Sequence, residues 1–215
     1  MIKTKIFTKK LDKPNLYIAK KIRNAELLVI GCSAGGFAII YNLVQNLPEN
    51  FPLPVLIVIH RSPKYKSLIE EQLNLKGKMS VKMAEDKEQI QKGFVYFAPP
   101  DYHLLVESDG SLALDNSEPV HFCRPAIDVT FQSAADVYKD KVIAILLSGA
   151  NEDGADGIAY VSELNGLTVV QDPDVAEVKT MPIAAIEKTN VDLILNNLQI
   201  EELMKNIDQV KNTTE

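Results

Sequence analysis

Ser33, His60 and Asp153 are the three side chains whose types and settings suit acyl-transfer chemistry. Ser33 lies in Gly31-Cys32-Ser33-Ala34-Gly35-Gly36, a glycine-framed segment that follows the apolar run Leu27 to Gly31. A sharp turn from strand to helix pushes a hydroxyl out of the chain, and the N-terminus of the helix that follows offers N–H groups to an oxyanion. His60 closes a second apolar run that begins at Val55, and Asp153 lies just beyond a third, Val142 to Leu147, in Ser148-Gly149-Ala150-Asn151-Glu152-Asp153-Gly154. A serine nucleophile needs a base to take its proton and a carboxylate to orient that base. The chain order Ser, His, Asp differs from the three familiar orders of serine hydrolases, but such a constellation is defined by geometry and roles rather than by sequence order.

Each residue has a plainer reading. Gly31 to Gly36 on its own suits a phosphate-cradling turn equally well, although it does not fit G-x-G-x-x-G, and the second run ends in His60 rather than in the acidic residue that holds a ribose. A histidine at a strand end is more often structural than catalytic, and Asp153 alone is most simply a helix N-cap. The catalytic reading rests on all three falling at strand ends, because the carboxyl ends of parallel strands line the binding crevice of an open α/β sheet.

The elements that must position these residues alternate between β-rich apolar runs and helical patterns, which predicts an α/β fold: a doubly wound, mainly parallel sheet with helices on both faces. Strands are expected over Leu27–Gly31, Val55–His60, Ser80–Ala84, Phe94–Ala98, Val142–Leu147, Leu167–Gln171 and Val191–Leu195. One antiparallel hairpin is expected, His103–Glu107 with Leu112–Leu114 around Ser108-Asp109-Gly110. Helices should follow Gly36 and cover Lys64–Leu75, Pro125–Tyr138, Ala155–Leu164 and Val178–Glu187, with one more at the C-terminus; Pro125 suits a first turn, where its missing N–H costs nothing.

The chain has 215 residues, 46% of them apolar, enough for one domain with a full core. Met1 to Glu26 carries eight Lys/Arg against two Asp/Glu, and the remainder 15 against 27, so residues 27–215 have a net charge of −12. An acidic body lacks the basic face that releases counterions from nucleic acid, which argues against a nucleic-acid partner. Residues 1–26 read as a basic lead-in, either a solvated arm or a strand laid on the body. Two cysteines make neither a disulfide framework nor a paired zinc motif, so no metal and no cofactor is expected and a reducing cytoplasm fits. Cys32 reads as a small buried residue, and Cys123 lies near the mouth of the site. No apolar run approaches the length of a membrane span.

Gly31–Gly36, Val58–Pro63, Phe97–Leu104, Cys123–Phe131, Leu147–Gly157 and Val170–Ile186 together resemble the catalytic domain of the CheB-type protein-glutamate methylesterases, over about Glu26 to Leu203. The resemblance matches Ser33, His60 and Asp153 to that family's serine, histidine and aspartate. It implies hydrolysis of glutamate methyl esters on the cytoplasmic helices of chemoreceptors, often with deamidation of glutamines. Ala34, and less directly Ala150, are the backbone oxyanion donors expected, since any residue but proline keeps its N–H. Arg124 is a candidate for binding a carboxylate on the substrate, with an ordinary surface ion pair as its plainer role. Asp128 reads as a structural carboxylate, His103 as a hairpin residue without a catalytic role and His121 as a surface residue.

Two features depart from the family pattern. Ala150-Asn151 replaces the usual Met-Gly, and the basic lead-in stands where familiar members carry a receiver domain. Residues 27–215 are expected to be the catalytic domain, constitutively active, controlled by a separate regulatory partner, or part of a different sensory pathway. A hydrolase of small-molecule esters using the same residues, and a non-catalytic signalling domain that retains the fold, are the alternative readings.

Overall fold

In the computed structural model, which describes residues 16–61, 64 and 68–212, the apolar runs form a parallel sheet. The strands are β1 (Leu27–Cys32), β2 (Val55–Ile59), β3 (Ser80–Met83), β4 (Phe94–Phe97), β5 (His103–Val106), β6 (Leu112–Asp115), β7 (Val142–Leu146), β8 (Leu167–Gln171) and β9 (Leu193–Leu195). The helices are α1 (Leu16–Asn24), α2 (Phe37–Asn46), α3 (Ile69–Lys76), α4 (Ile127–Tyr138), α5 (Ala155–Glu163), α6 (Thr180–Lys188) and α7 (Asn197–Asn212). Seven strands pair in parallel in the order β3-β4-β2-β1-β7-β8-β9, while β5 and β6 form a separate antiparallel hairpin.

Every residue of β1, β2, β7 and β8 is buried, as a parallel sheet covered on both faces requires. Alternate side chains serve opposite faces: Leu28, Ile30 and Cys32 of β1 pack with α1, α2, α3 and α7. Leu27 and Val29 pack with α4, α5, α6 and the hairpin. Each fully buried aliphatic side chain contributes about 1.5–3 kcal/mol relative to exposure, so a register slip of one residue would exchange two cores at once.

The lead-in differs from the arm or strand expected of it. Residues 1–15 lie outside the described residues, but Leu16–Asn24 is a helix that buries Ile18, Ala19 and Ile22 in the core shared with α7. Lys21 reaches back to Asp192 at 2.8 Å and to the Gly166 carbonyl at 2.9 Å. Its basic side chains hide a short apolar stripe, because long charged stems can lie over apolar surface while the head stays wet. Three helices also begin later than their patterns suggest, α6 starting at Thr180 rather than Val178. Of the start expected at Lys64, residues 65–67 lie outside the described residues, and α3 begins at Ile69. The helix expected from Pro125 begins at Ile127, where the Ile127 and Asp128 N–H groups donate to Asp153 at 2.7 and 3.0 Å.

Candidate active site

Because β1 lies between β2 and β7, three adjacent strands carry Ser33, His60 and Asp153 at or beyond their carboxyl ends. Cys32 is in register with Ile59 and Gly31 with Leu146. The ladder continues past the strands: His60 N–H donates to the Cys32 carbonyl at 3.3 Å, Leu147 N–H to Gly31 at 2.9 Å, and Ser33 N–H to Ser148 at 2.9 Å. Ser33 is therefore tied into the sheet on one side and into the turn before α2 on the other.

That turn depends on Gly35, whose φ of +81° is in the left-handed region and whose missing Cβ would lie 2.6 Å from both Glu177 Cβ and Ser148 Oγ. A side chain there would be strained in backbone and in space. Ser148 holds the outside of the turn. Its hydroxyl donates to the Ala34 carbonyl at 2.7 Å, with the Val178 carbonyl at 3.1 Å as the alternative, and accepts the Val178 N–H at 2.9 Å. Sequence reasoning did not single out Ser148, although it ends the third buried run as His60 ends the second. The Ala34 and Ala150 N–H groups have no acceptor among the described residues; both residues are exposed.

His60 and Asp153 form the tightest part of the site. His60 Nε2 lies 2.7 Å from Asp153 Oδ2, with the His60 side chain 12% exposed and the carboxylate fully buried. Burial raises the Asp153 carboxyl, but His60 and the Asp128 and Ile127 N–H groups outweigh it and hold the group below its ordinary value. Burial lowers His60, but its hydrogen bonds to Asp153 and Cys123 outweigh that and raise its pKa to about 9. Gly154 follows Asp153 with φ +95°, and a Cβ there would meet Leu146 Cδ1 at 2.5 Å, so the Asp-Gly pair is a backbone requirement as well as a chemical one.

With Nε2 engaged by Asp153, Nδ1 is the ring nitrogen left for a nucleophile, and here it faces Cys123 Sγ at 3.4 Å. Asn151 Nδ2 donates to the same sulfur at 3.2 Å. Ser33 is half-buried, and its hydroxyl makes no hydrogen bond to any described residue. The sequence places Cys123 near the mouth of the site but gives no sign of its contact with His60, because the two are 63 positions apart. Cys32 is the buried small residue expected, and burial pushes its thiol up to about 12.

A cleft of about 390 Å³ opens beside this cluster, lined by His60, Arg61, Asp101, Phe122, Cys123 and Arg124 among others. Arg124 donates to the carbonyls of Asn116 and Ser117 at 2.7 and 2.8 Å and lies 3.6 Å from Asp101. Those three partners already use most of its guanidinium, so the ion-pair role stands beside the substrate-binding one. Phe122 is fully exposed at the tip of a tight turn closed by Val120 and Cys123, and both central residues, His121 and Phe122, have positive φ. His103 is buried, its Nδ1 accepting the Ala126 N–H and its Nε2 facing the Glu118 carbonyl, which is a structural role. His121 is not free at the surface: it lies 3.4 Å from Asp128 and 3.7 Å from Glu152.

An α/β domain that gathers a serine, a histidine and a carboxylate at one strand-end crevice has the make-up of a serine-type hydrolase. The family model described as CheB methylesterase matches residues 28–204. A Leptospira interrogans protein provisionally named protein-glutamate methylesterase/protein-glutamine glutaminase is 44% identical over 190 residues, covering 86% of this chain and 96% of its own length. A Thermotoga maritima protein-glutamate methylesterase/protein-glutamine glutaminase is 34% identical over 203 residues, 93% of this chain, which spans 58% of that protein. The crystal structure of the Thermotoga maritima CheB methylesterase catalytic domain is similar with a TM-score of 0.79 and 36% identity, covering 86% of this chain and 98% of that one. The chain belongs to the CheB methylesterase family.

Proposed function

We infer that this protein is a protein-glutamate methylesterase that removes methyl esters from glutamate side chains on the cytoplasmic helices of chemoreceptors. The single observation that carries the mechanism is the pairing of His60 with the buried Asp153 at the ends of strands flanking the one that delivers Ser33. Asp153 accepts a hydrogen bond from Nε2–H and fixes the tautomer, which leaves the Nδ1 lone pair to take the proton of Ser33 as its oxygen attacks the ester carbonyl. The Ala34 and Ala150 N–H groups would donate to the tetrahedral oxyanion. Collapse breaks the acyl–oxygen bond, and the imidazolium gives its proton to methanol. Water, deprotonated by the same histidine, then attacks the acyl-enzyme and releases the glutamate.

The same steps on a primary amide release ammonia, so glutamine deamidation is the companion activity, in keeping with the relatives' double name. Substrates of this kind put the enzyme in the cytoplasm. Among the described residues no helix is long and apolar enough to cross a membrane. Arg124 at the cleft would meet a carboxylate of the receptor helix.

Methanol release from a methylated chemoreceptor preparation, compared between the native chain and Ser33→Ala, tests this reading. Release that disappears in the variant is the expected result. Hydrolysis of small soluble esters with none on receptor would replace it with the small-ester hydrolase.

A further inference from the structure

The His60–Cys123 contact has the dimensions of a metal site. A tetrahedral zinc ion binds nitrogen at about 2.0–2.1 Å and thiolate sulfur at about 2.3 Å, which sets those two donors about 3.5 Å apart. His60 Nδ1 and Cys123 Sγ are 3.4 Å apart. The second ring nitrogen, Nε2, is held by Asp153, the carboxylate–histidine arrangement that orients a metal-binding imidazole and raises its basicity. Asp153 is itself held by Ile127 and Asp128, so the ring is fixed before any ion arrives.

A third donor is at hand. Asn151 Nδ2 lies 3.2 Å from Cys123 Sγ, while its Oδ1 is buried without a hydrogen-bond partner. A half-turn of the amide exchanges these two atoms at the cost of the Nδ2–Sγ hydrogen bond, placing a carbonyl oxygen beside the sulfur, where a bound cation would be its partner. Asn151 belongs to the Ala150-Asn151 pair that replaces the family's usual Met-Gly, so this donor arises from a residue in which this chain departs from the pattern. Charge does not oppose a cation, because the arginines of the cleft are paired, Arg61 with Glu70 at 2.6 Å and Arg124 with Asp101 at 3.6 Å.

We propose that His60 Nδ1, Cys123 Sγ and Asn151 Oδ1 bind a thiophilic divalent cation of the zinc class, and that its occupancy silences the hydrolase. Binding replaces the Cys123 thiol proton and, where the ring is protonated, the His60 Nδ1 proton; both pass to solvent, and no electron is transferred. The fourth position is left for water on the cleft side. The block to catalysis rests on the reading of His60 as the base for Ser33: a lone pair donated to zinc cannot accept a hydroxyl proton. Soft nitrogen and sulfur donors favour zinc over magnesium or calcium.

Cobalt(II) is the probe, since its thiolate complexes absorb in the near ultraviolet whether or not the protein turns over substrate. The full chain, stripped with chelator and titrated with cobalt(II), should develop a thiolate-to-cobalt charge-transfer band and tetrahedral visible bands that saturate at one equivalent and are displaced by zinc. Ser33→Ala should keep these bands, and Cys123→Ser should lose them although Cys32 is still present. In the methanol-release assay zinc should inhibit the native chain, chelator should restore it, and Cys123→Ser should need at least tenfold more zinc for the same fractional inhibition. The absence of a charge-transfer band, or an equal band in Cys123→Ser, would overturn the site and leave the contact as a hydrogen bond alone. Bands without any esterase activity to inhibit would keep the metal site and remove the inferred reaction. Bands with zinc-insensitive turnover would refute the silencing.

Discussion

Asp153 holds His60 with the same carboxylate oxygen that caps α4: Oδ2 lies 2.7 Å from His60 Nε2 and accepts the Ile127 N–H at 2.7 Å, while Oδ1 accepts the Asp128 N–H at 3.0 Å. One buried carboxylate thus satisfies two free N–H groups at a helix start and fixes the His60 ring. Asp153→Ala should cost about 1–3 kcal/mol of stability, because it leaves buried donors without an acceptor. Asp153→Asn keeps the volume, yet turnover should still fall by roughly 10⁴-fold through loss of the correct tautomer. Urea denaturation and methanol release measured on both variants check this, and full activity in Asp153→Asn would remove the orienting role.

Ser33 separates chemistry from folding. Its hydroxyl makes no hydrogen bond to a described residue, so Ser33→Ala should leave stability within about 0.5 kcal/mol of native. Turnover should fall by roughly 10⁶-fold, the scale reached when a nucleophile is removed from such a triad. Single-turnover kinetics on methylated receptor give the second number, and a loss of only a few-fold would mean that another group attacks the ester.

The pH dependence follows from His60, held as imidazolium up to about pH 9 by Asp153 and Cys123 against the opposing effect of burial. A general base must be neutral, so kcat/KM should climb with pH until it levels off above about 9. Removing the Cys123 contact by Cys123→Ala should shift that rise to lower pH. Stability moves the other way. The His60 pair contributes in full below the ordinary histidine value, and the contribution is lost as pH rises through about 9. A profile that already levels off near pH 6 would show that the paired imidazolium is not the resting form.

Much of this architecture is legible in the sequence because burial on both faces leaves a plain mark. The runs at Leu27, Val55 and Val142 become three neighbouring strands with little change of boundary, and Ser33, His60 and Asp153 lie at their ends as the runs imply. The parts that were not legible are contacts between distant positions. Asp153 caps α4, 25 and 26 residues before it, rather than the helix it precedes, so α4 starts at Ile127 instead of Pro125. Cys123 meets His60, and Asn151 meets Cys123, from two separate loops, and neither loop has a periodicity from which those meetings can be read. In α1 the periodic signal exists, but only three apolar side chains carry it among five basic and polar ones.

Asp128 offers a prediction in which the native residue is a liability. Its Oδ1 accepts the Gly157 N–H at 2.6 Å, while Oδ2 is buried without a hydrogen bond, 3.4 Å from His121 Nε2. Burial, opposed by the Gly157 N–H and reinforced by the charges of Asp153 and Asp156, raises its pKa to about 7. An acid whose folded value is raised releases its proton first in the unfolded chain, so folding stability falls as pH rises from about 4 to about 7. Asp128→Asn keeps an oxygen for Gly157 and removes the titration. Its Tm relative to the native protein should therefore be higher at pH 8 than at pH 4, with most of the change complete by about pH 7. A difference between the two proteins that stays constant across that range would show that the carboxyl ionises in the folded protein without cost, and that His121 compensates its charge in full.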